Sequence, residues 1–529
     1  MRSIDSNARN QYVNVDDGRP VSSPATDGVE TSTAVRMGGS FLWMQLLRMV
    51  EVGTSVLFLI LVVRRLGPVE YGVFGIIMST TATANMIAMF GFSEALNKFV
   101  AELVSQNKQD AVSALAQRVI AAGLLFALSC SAILWVGREQ IAVLLKYRGM
   151  ADLYLVIAVV VLSQTLSGLL SALNVGLWRS GIVFAITGAV NVLSVMGAVL
   201  AIYMGYATGM AAAVATAVSF ALGAVAFIIA SRDCLLRRVK SDVNMKPVWR
   251  FSFSAWLVRL SLFAMGSNVV VLLMCWLLGS ESEVAFFNCA YVPLFRLQAL
   301  ILGWSASVLP SLSELRIKSG ESSLALPYRI YVKLVVAIAV PLFLLVAWYA
   351  DPLIVCVFGE KFKQAGTSLR LFAVLSLASL LAGSGLTTLL LYALGKAKVV
   401  SIVRLGTALL HLGICFWLIP KYRGLGAIIG IGSGAIVAAY FEILLTPADI
   451  RAQYPILFIT KSLAIAVLCI SGISLFMPKT ILGFISGGMI CLITYAFLLG
   501  RWRPLDSDEK KILCKHPVIS RMLTLFGVS

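Results

Sequence analysis

Charge is scarce in this sequence. Asp, Glu, Lys and Arg make up 13% of its 529 residues, whereas soluble domains carry about a quarter. With 59% hydrophobic residues and a mean hydropathy of +0.92, the chain has more apolar surface than a water-soluble fold can bury. Histidine is scarcer still: His411 and His516 are the only two. Nine cysteines stand singly, without a C-x-x-C pair or a His/Cys cluster. That excludes a disulfide framework and a thiolate zinc site and leaves small buried hydrophobes. No Walker, G-x-S-x-G or metal-ligand spacing falls in a suitable context. The chain therefore reads as no enzyme, with no catalytic residues, metal or cofactor. Any uphill work has to draw on Na+ or H+ coupling, on membrane potential or on removal of product.

What is present is apolar sequence in runs of about 20 residues, each long enough to cross roughly 30 Å of hydrocarbon. Bounded by charge, Pro or Gly, these runs predict about fourteen helices in an all-α polytopic membrane protein. Residues 1–36 are polar, carry Pro20 and Pro24, and read as a disordered cytoplasmic tail. Residues 37–230 hold six spans, 231–250 a basic cytoplasmic linker, 251–447 six more spans, 448–500 the last two and 501–529 a second cytoplasmic tail. A net charge of +18 would suit nucleic acid, but the cations sit in short loops and tails. With the amino terminus inside, the inner segments collect roughly 28 Lys and Arg against about 11 outside, an asymmetry that orients the chain and puts both termini in the cytoplasm. No nucleic-acid partner is expected. Membrane lipids are, since the linker's Arg232, Arg237, Arg238, Lys240, Lys246 and Arg250 suit anionic headgroups.

The two halves echo one another. Leu46-Leu47-Arg48-Met49 returns as Leu257-Val258-Arg259-Leu260, Leu66-Gly67 as Leu278-Gly279, Trp178-Arg179 as Gly395-Lys396, and the stretch from Tyr206 to Ala212 as that from Tyr422 to Ala427. The separation drifts only from 211 to 217 residues, which implies two pseudo-symmetric six-helix lobes. Lobes repeated in this way place a substrate site at their interface. Gly426, Gly430 and Gly434 recur at four-residue spacing, a pattern for close helix packing.

An ionisable side chain inside a span costs a few kcal/mol unless it faces water or a partner. Arg48 and Glu51 lie three residues apart on one helical face of the first span and can pair. Arg259 lies in the seventh span and Arg296 in the eighth. Matched places in the two lobes let Arg48 and Arg259 point across the cleft, where two guanidiniums would hold a phosphate or diphosphate. The competing reading is a structural Arg48–Glu51 pair and an Arg259 that snorkels to the interface. Glu442, in the twelfth span, is either a site for a coupling cation or proton or an interfacial carboxylate. Glu94 and Lys98, on consecutive turns of an amphipathic helix after the second span, form either a local ion pair or a gate between the lobes.

The segment Arg64-Arg65-Leu66-Gly67-Pro68-Val69-Glu70-Tyr71-Gly72 resembles the R-x-L-G-P-x-E-[YF]-G turn of the Wzx-type polysaccharide flippases, within the multidrug/oligosaccharidyl-lipid/polysaccharide (MOP) superfamily. Phe358-Gly359-Glu360-Lys361-Phe362, Leu394-Gly395-Lys396 and the run from Ile419 to Ala427 extend the resemblance over residues 40 to 445. It implies a MATE-like, two-lobed alternating-access carrier of the bacterial inner membrane. Such a carrier flips an undecaprenyl-diphosphate-linked oligosaccharide for surface polysaccharide, exopolysaccharide or lipopolysaccharide synthesis and hands it to polymerase and chain-length machinery. Arg48 and Arg259, with Arg296 as a further candidate, would then hold the diphosphate. The second-lobe turn Leu278-Gly279-Ser280-Glu281-Ser282-Glu283 departs from the pattern, lacking the Pro and the Gly-Tyr. A lipid II flippase or multidrug exporter of the same superfamily is the alternative. A membrane glycosyltransferase or ligase would need a large catalytic loop, and the longest loop here is about twenty residues.

Overall fold

The computed structural model describes residues 43–144, 153–237, 243–302 and 319–502, together with 312, 315, 316 and 509. The expected tail 1–36 lies outside the described residues, as does most of 501–529. Among the described residues the secondary structure is helical. The first lobe comprises α1 (43–58), α2 (Arg64–Met89), α3 (Phe92–Ser105), α4 (Gln109–Val136), α5 (Tyr154–Gly176), α6 (Ser180–Tyr203) and α7 (Gly209–Ala230). The second comprises α8 (Lys246–Ala264), α9 (Ser267–Leu278), α10 (Glu281–Leu302), α11 (Ala325–Trp348), α12 (Ala365–Leu381), α13 (Leu386–Ala393) and α14 (Ala397–Leu444). Two more helices, α15 (Ile456–Phe476) and α16 (Ile481–Arg501), follow, α15 lying along α11.

Eleven helices among the described residues are long and apolar enough to cross a membrane, and α8 with α9, bent by 55° at the Met265-Gly266 break, makes a twelfth. Two of the eleven are double length. The 47 residues Trp43–Met89 would run about 70 Å if straight, twice what a bilayer needs. The chain turns at Gly67, whose φ of 80° is open chiefly to glycine, and Pro68 starts the next span with its fixed φ. In the 48-residue α14 the break is Arg423, at φ 50°. The two halves of α14 fold face to face. Gly426 backs onto Leu418, Gly430 onto Cys415 and Gly434 onto His411, each so closely that a Cβ would collide. The four-residue glycine spacing is thus the register of an antiparallel hairpin, and counting each double helix as two recovers the expected fourteen spans.

The repeat has a physical content that the sequence echo only hinted at. In the first lobe the backbone N–H of Gly209, at the start of α7, donates to Glu70 Oε2 at 2.8 Å. In the second, the N–H of Gly424 donates to Glu283 Oε2 at 3.3 Å. The second-lobe turn that lacks Pro and Gly-Tyr therefore keeps the residue that matters. The far ends match too: Arg179 Nη1 donates to the Ala230 carbonyl at 3.3 Å and Lys396 Nζ to the Leu445 carbonyl at 3.0 Å. Each basic residue follows a left-handed residue, Trp178 at φ 60° or Gly395 at φ 73°. A carboxylate at the N-terminus and a cation at the C-terminus complement the helix dipole and satisfy groups that the helix leaves unpaired.

One boundary differs from expectation. α8 begins at Lys246, inside the stretch 231–250 read as linker, because Pro247 in the first helical turn has no N–H to lose there. Removing the carboxylate cap by Glu70→Ala or Glu283→Ala is expected to destabilise the protein by about 1–2 kcal/mol, the worth of a charge-assisted cap. Thermal unfolding in detergent, followed by tryptophan fluorescence, measures it, and an unchanged midpoint in both variants would remove the clamp from the account.

Candidate functional site

The lobes meet along α2, which packs on α9 and α10, and where α3 meets α8. At the end where α1 turns into α2, Gly72 lies against the Glu281 carbonyl and Gly75 against the Asn288 side chain, approaches that only glycine permits. Ser79 Oγ reaches Asn268 Oδ1 at 3.4 Å a little deeper. At the opposite end, expected from the charge pattern to be cytoplasmic, α2 stops at Phe90 and Gly91, two successive left-handed residues with φ 40° and 71°. Gly91 is required there because the Ser252 carbonyl of α8 occupies the space of a Cβ. Phe90 and Phe92 then pack among Phe126, Trp249, Phe253 and Trp256, with ring centroids of Phe90 and Trp256 5.4 Å apart and of Phe92 and Trp249 5.2 Å apart. Trp256 Nε1 donates to the Met86 carbonyl at 3.1 Å.

Charges cross this end as well. Arg259 Nη1 lies 2.9 Å from Glu94 Oε1, joining α8 to α3. Lys98 is 3.9 Å from Glu102 and sits 4.6 Å from the centroid of Phe251 on α8. The local Glu94–Lys98 pair is therefore not the one that forms: α8 brings a guanidinium closer to Glu94 than its own helix brings an ammonium. With side chains 45% and 33% exposed, the Arg259–Glu94 pair is worth only about 0–1 kcal/mol. Most of the closure comes from the aromatic packing, and the ion pair sets its register.

Between the two contacts lies a cavity of about 220 Å³ lined by Asn85, Met89, Gln164, Trp256, Arg259 and Phe263 among others. Its amides are held in place: Asn85 Nδ2 donates to Gln164 Oε1 at 3.3 Å and Thr165 Oγ1 donates to Asn85 Oδ1 at 2.8 Å. Arg259 thus faces an interlobe chamber and a carboxylate at once.

Among the described residues, Arg48 and Glu51 form no ion pair within 4 Å. The charges acting on half-buried Glu51 are those of Arg296, from α10 in the other lobe, and of Arg48. Arg296 of the other lobe is thus near enough to Glu51 to act on its charge, Arg48 is exposed, and Arg259 is held by Glu94.

Glu442 belongs elsewhere. It is 1% exposed, inside the second lobe, with Arg404 Nε 3.0 Å from Oε1 and Thr388 Oγ1 donating to Oε2 at 2.6 Å. Arg404 Nη2 closes the triangle on Thr388 at 2.7 Å. Both carboxylate oxygens are engaged. Neither Arg404 nor Thr388 was picked out from the sequence, although the glycine register of the α14 hairpin sets 404 opposite 442. No group of three or more His, Cys, Asp or Glu able to hold a metal occurs among the described residues.

If Glu94 and Arg259 hold the closure, Glu94→Gln is expected to raise labelling of an Asn85→Cys probe by a membrane-impermeant maleimide about two- to fivefold, the population change that roughly 0.5–1 kcal/mol produces. The charge swap Glu94→Arg with Arg259→Glu should restore slow labelling. Equal rates in all three proteins would show that the pair closes nothing.

The sequence model of a family described as polysaccharide biosynthesis protein matches residues 61–367. No curated protein matches the chain by sequence. Among solved structures, a lipid II flippase MurJ in an inward closed conformation is similar with a TM-score of 0.68 at 13% identity, covering 87% of this chain and 98% of that one. An inward-facing multidrug resistance MATE family transporter of the MOP superfamily gives a TM-score of 0.55 at 16% identity, covering 77% and 95%. A MATE protein in complex with MaL6 gives 0.54 at 16% identity, covering 78% and 96%. At these identities the likeness is one of fold. The chain belongs to the polysaccharide biosynthesis protein family and shares its two-lobed membrane fold with these solved structures.

Proposed function

We propose that this protein is a flippase that carries an undecaprenyl-diphosphate-linked oligosaccharide across the bacterial inner membrane by alternating access, with no chemical step. The observation that carries the reading is the distribution of cations at the lobe interface. Arg259 lines the interlobe cavity while paired to Glu94, and Arg48 and Arg296, one from each lobe, are near enough to Glu51 to act on its charge. A cation within a membrane span is costly unless it faces water or meets an anion that spends part of the cycle there. A diphosphate meets that need, since guanidinium binds phosphate oxygens bidentately while the glycan and the polyprenyl chain lie on either side.

The closure supplies the mechanism. An anionic headgroup arriving from the α3 end competes with Glu94 for Arg259. Exchanging one carboxylate for a diphosphate weakens the link between α3 and α8 and favours parting of the lobes. Glycine contacts at the other end, Gly72 on Glu281 and Gly75 on Asn288, are the corresponding closure there. The positive inner loops support cytoplasmic termini, and the emerging lipid-linked unit would pass to polymerase and chain-length machinery. A multidrug exporter shares the fold, but three arginines around the interface favour an anionic cargo.

In a strain lacking the gene, complementation with Arg48→Ala, Arg259→Ala and Arg296→Ala variants is expected to cut surface polysaccharide at least about tenfold and to leave lipid-linked repeat units accumulating inside, as loss of charge-assisted contacts of about 1.5–3 kcal/mol implies. Normal polysaccharide from a variant lacking all three would overturn the diphosphate site.

A further inference from the structure

His411 is a buried ionisable group outside the interlobe site. It lies midway along the first half of α14, 14 residues from Ala397, or about 21 Å into the span. It is 1% exposed, and both Nδ1 and Nε2 are buried without a hydrogen-bond partner among the described residues. The opposing helix is shaped around it, since Gly434 backs directly onto the His411 Cβ. A polar side chain so placed is an expense that packing alone would avoid with leucine.

The surroundings limit what it binds. Arg404 and Glu442, two turns toward the end where α14 begins, neutralise each other. Of the charged groups on helices packed against the hairpin, Arg259 of α8 is paired with Glu94, Arg370 of α12 with Asp351 and Glu283 of α10 with Arg423, and Lys246 and Arg250 of α8 and Glu281 and Arg296 of α10 are the others. Cys275 of α9, Cys289 and Tyr291 of α10, Tyr392 of α13 and Cys415 one turn along are the other titratable groups. A sodium ion needs a cage of oxygens, and the carboxylate nearest in register, Glu442, already has both of its own engaged. An imidazole nitrogen needs only a proton.

A route for movement is also present. Thr407, one turn from His411 on the same face, contacts Met265 Sδ at 3.8 Å, at the 55° bend between α8 and α9. α8 carries Arg259, so a displacement that frees Arg259 from Glu94 acts on the bend that Thr407 contacts.

We propose that His411 is the proton-binding group of the second lobe, taking a proton from water on the acidic side when the α8–α9 bend shifts and releasing it on the other side as the lobe recloses. The proposal rests on the transport reading above and names H+ as the coupling ion, a role that Glu442, tied to Arg404 and Thr388, does not fill.

The test uses the full chain in proteoliposomes, with undecaprenyl-diphosphate-linked N-acetylglucosamine as the transported probe and pyranine inside to read proton flux, under pH gradients of both polarities. Wild-type protein is expected to flip the probe about tenfold faster with a favourable gradient than without one, and to move protons when the probe is added. His411→Gln, and His411→Asn should the first variant misfold, is expected to keep the ungated rate while losing both responses. Thr407→Val, which disturbs the same packing but keeps the imidazole, is expected to retain both. A folded His411→Gln that still responds to the gradient, or a wild type that flips without responding, would overturn the proton site and leave the transport reading standing. A wild type that does not flip the probe under any gradient would sink both.

Discussion

Each lobe is organised around a helix whose two ends are tied to the preceding part of the same lobe. Glu70 accepts from the N–H at the start of α7 and Arg179 donates to its last carbonyl; Glu283 and Lys396 do the same for the second half of α14. In hydrocarbon the unpaired groups at a helix end have no water to turn to, so such ties fix where the helix begins and stops. They also fix its angle to the span that supplies the carboxylate. Because Glu70 sits in α2 on the first turn after Gly67, and α2 is the main helix of the lobe interface, the clamp that shapes the lobe also orients the surface it presents to the other lobe.

The interface then works by close approach rather than by strong bonds. Gly72 and Gly75 at one end and Gly91 at the other let backbones come together where a side chain would hold them apart. Around these approaches the polar links are few and modest: Ser79 to Asn268, Trp256 to the Met86 carbonyl, and a half-exposed Arg259–Glu94 pair. A contact of this kind is well suited to breaking and reforming. A denser polar network, Arg404–Glu442–Thr388, lies inside a lobe, where it ties helices of the same lobe together.

Much of this was legible in the residues. Apolar runs gave the spans, the echo of Leu66-Gly67 in Leu278-Gly279 gave the two lobes, and the glycine spacing from Gly426 to Gly434 gave a close helix pair. The site was legible only as a set of charges. Arg48 and Arg259 look equivalent in the repeat, yet the first is exposed and makes no ion pair with Glu51, while the second is paired with Glu94. Arg404 was passed over although it balances Glu442, because a basic residue near the start of a span looks the same whether it snorkels or is paired.

By itself, the sequence determined that the chain lives in a bilayer, crosses it about fourteen times and repeats itself, because hydropathy and chain periodicity act along one dimension and need no partner. Only the tertiary structure decided which charge meets which. A carboxylate at position 94 is one turn from Lys98 along its helix, but the α8 backbone, brought in at Gly91, puts Arg259 nearer. Partnership across lobes is set by how helices cross, and that geometry is written in no single helix.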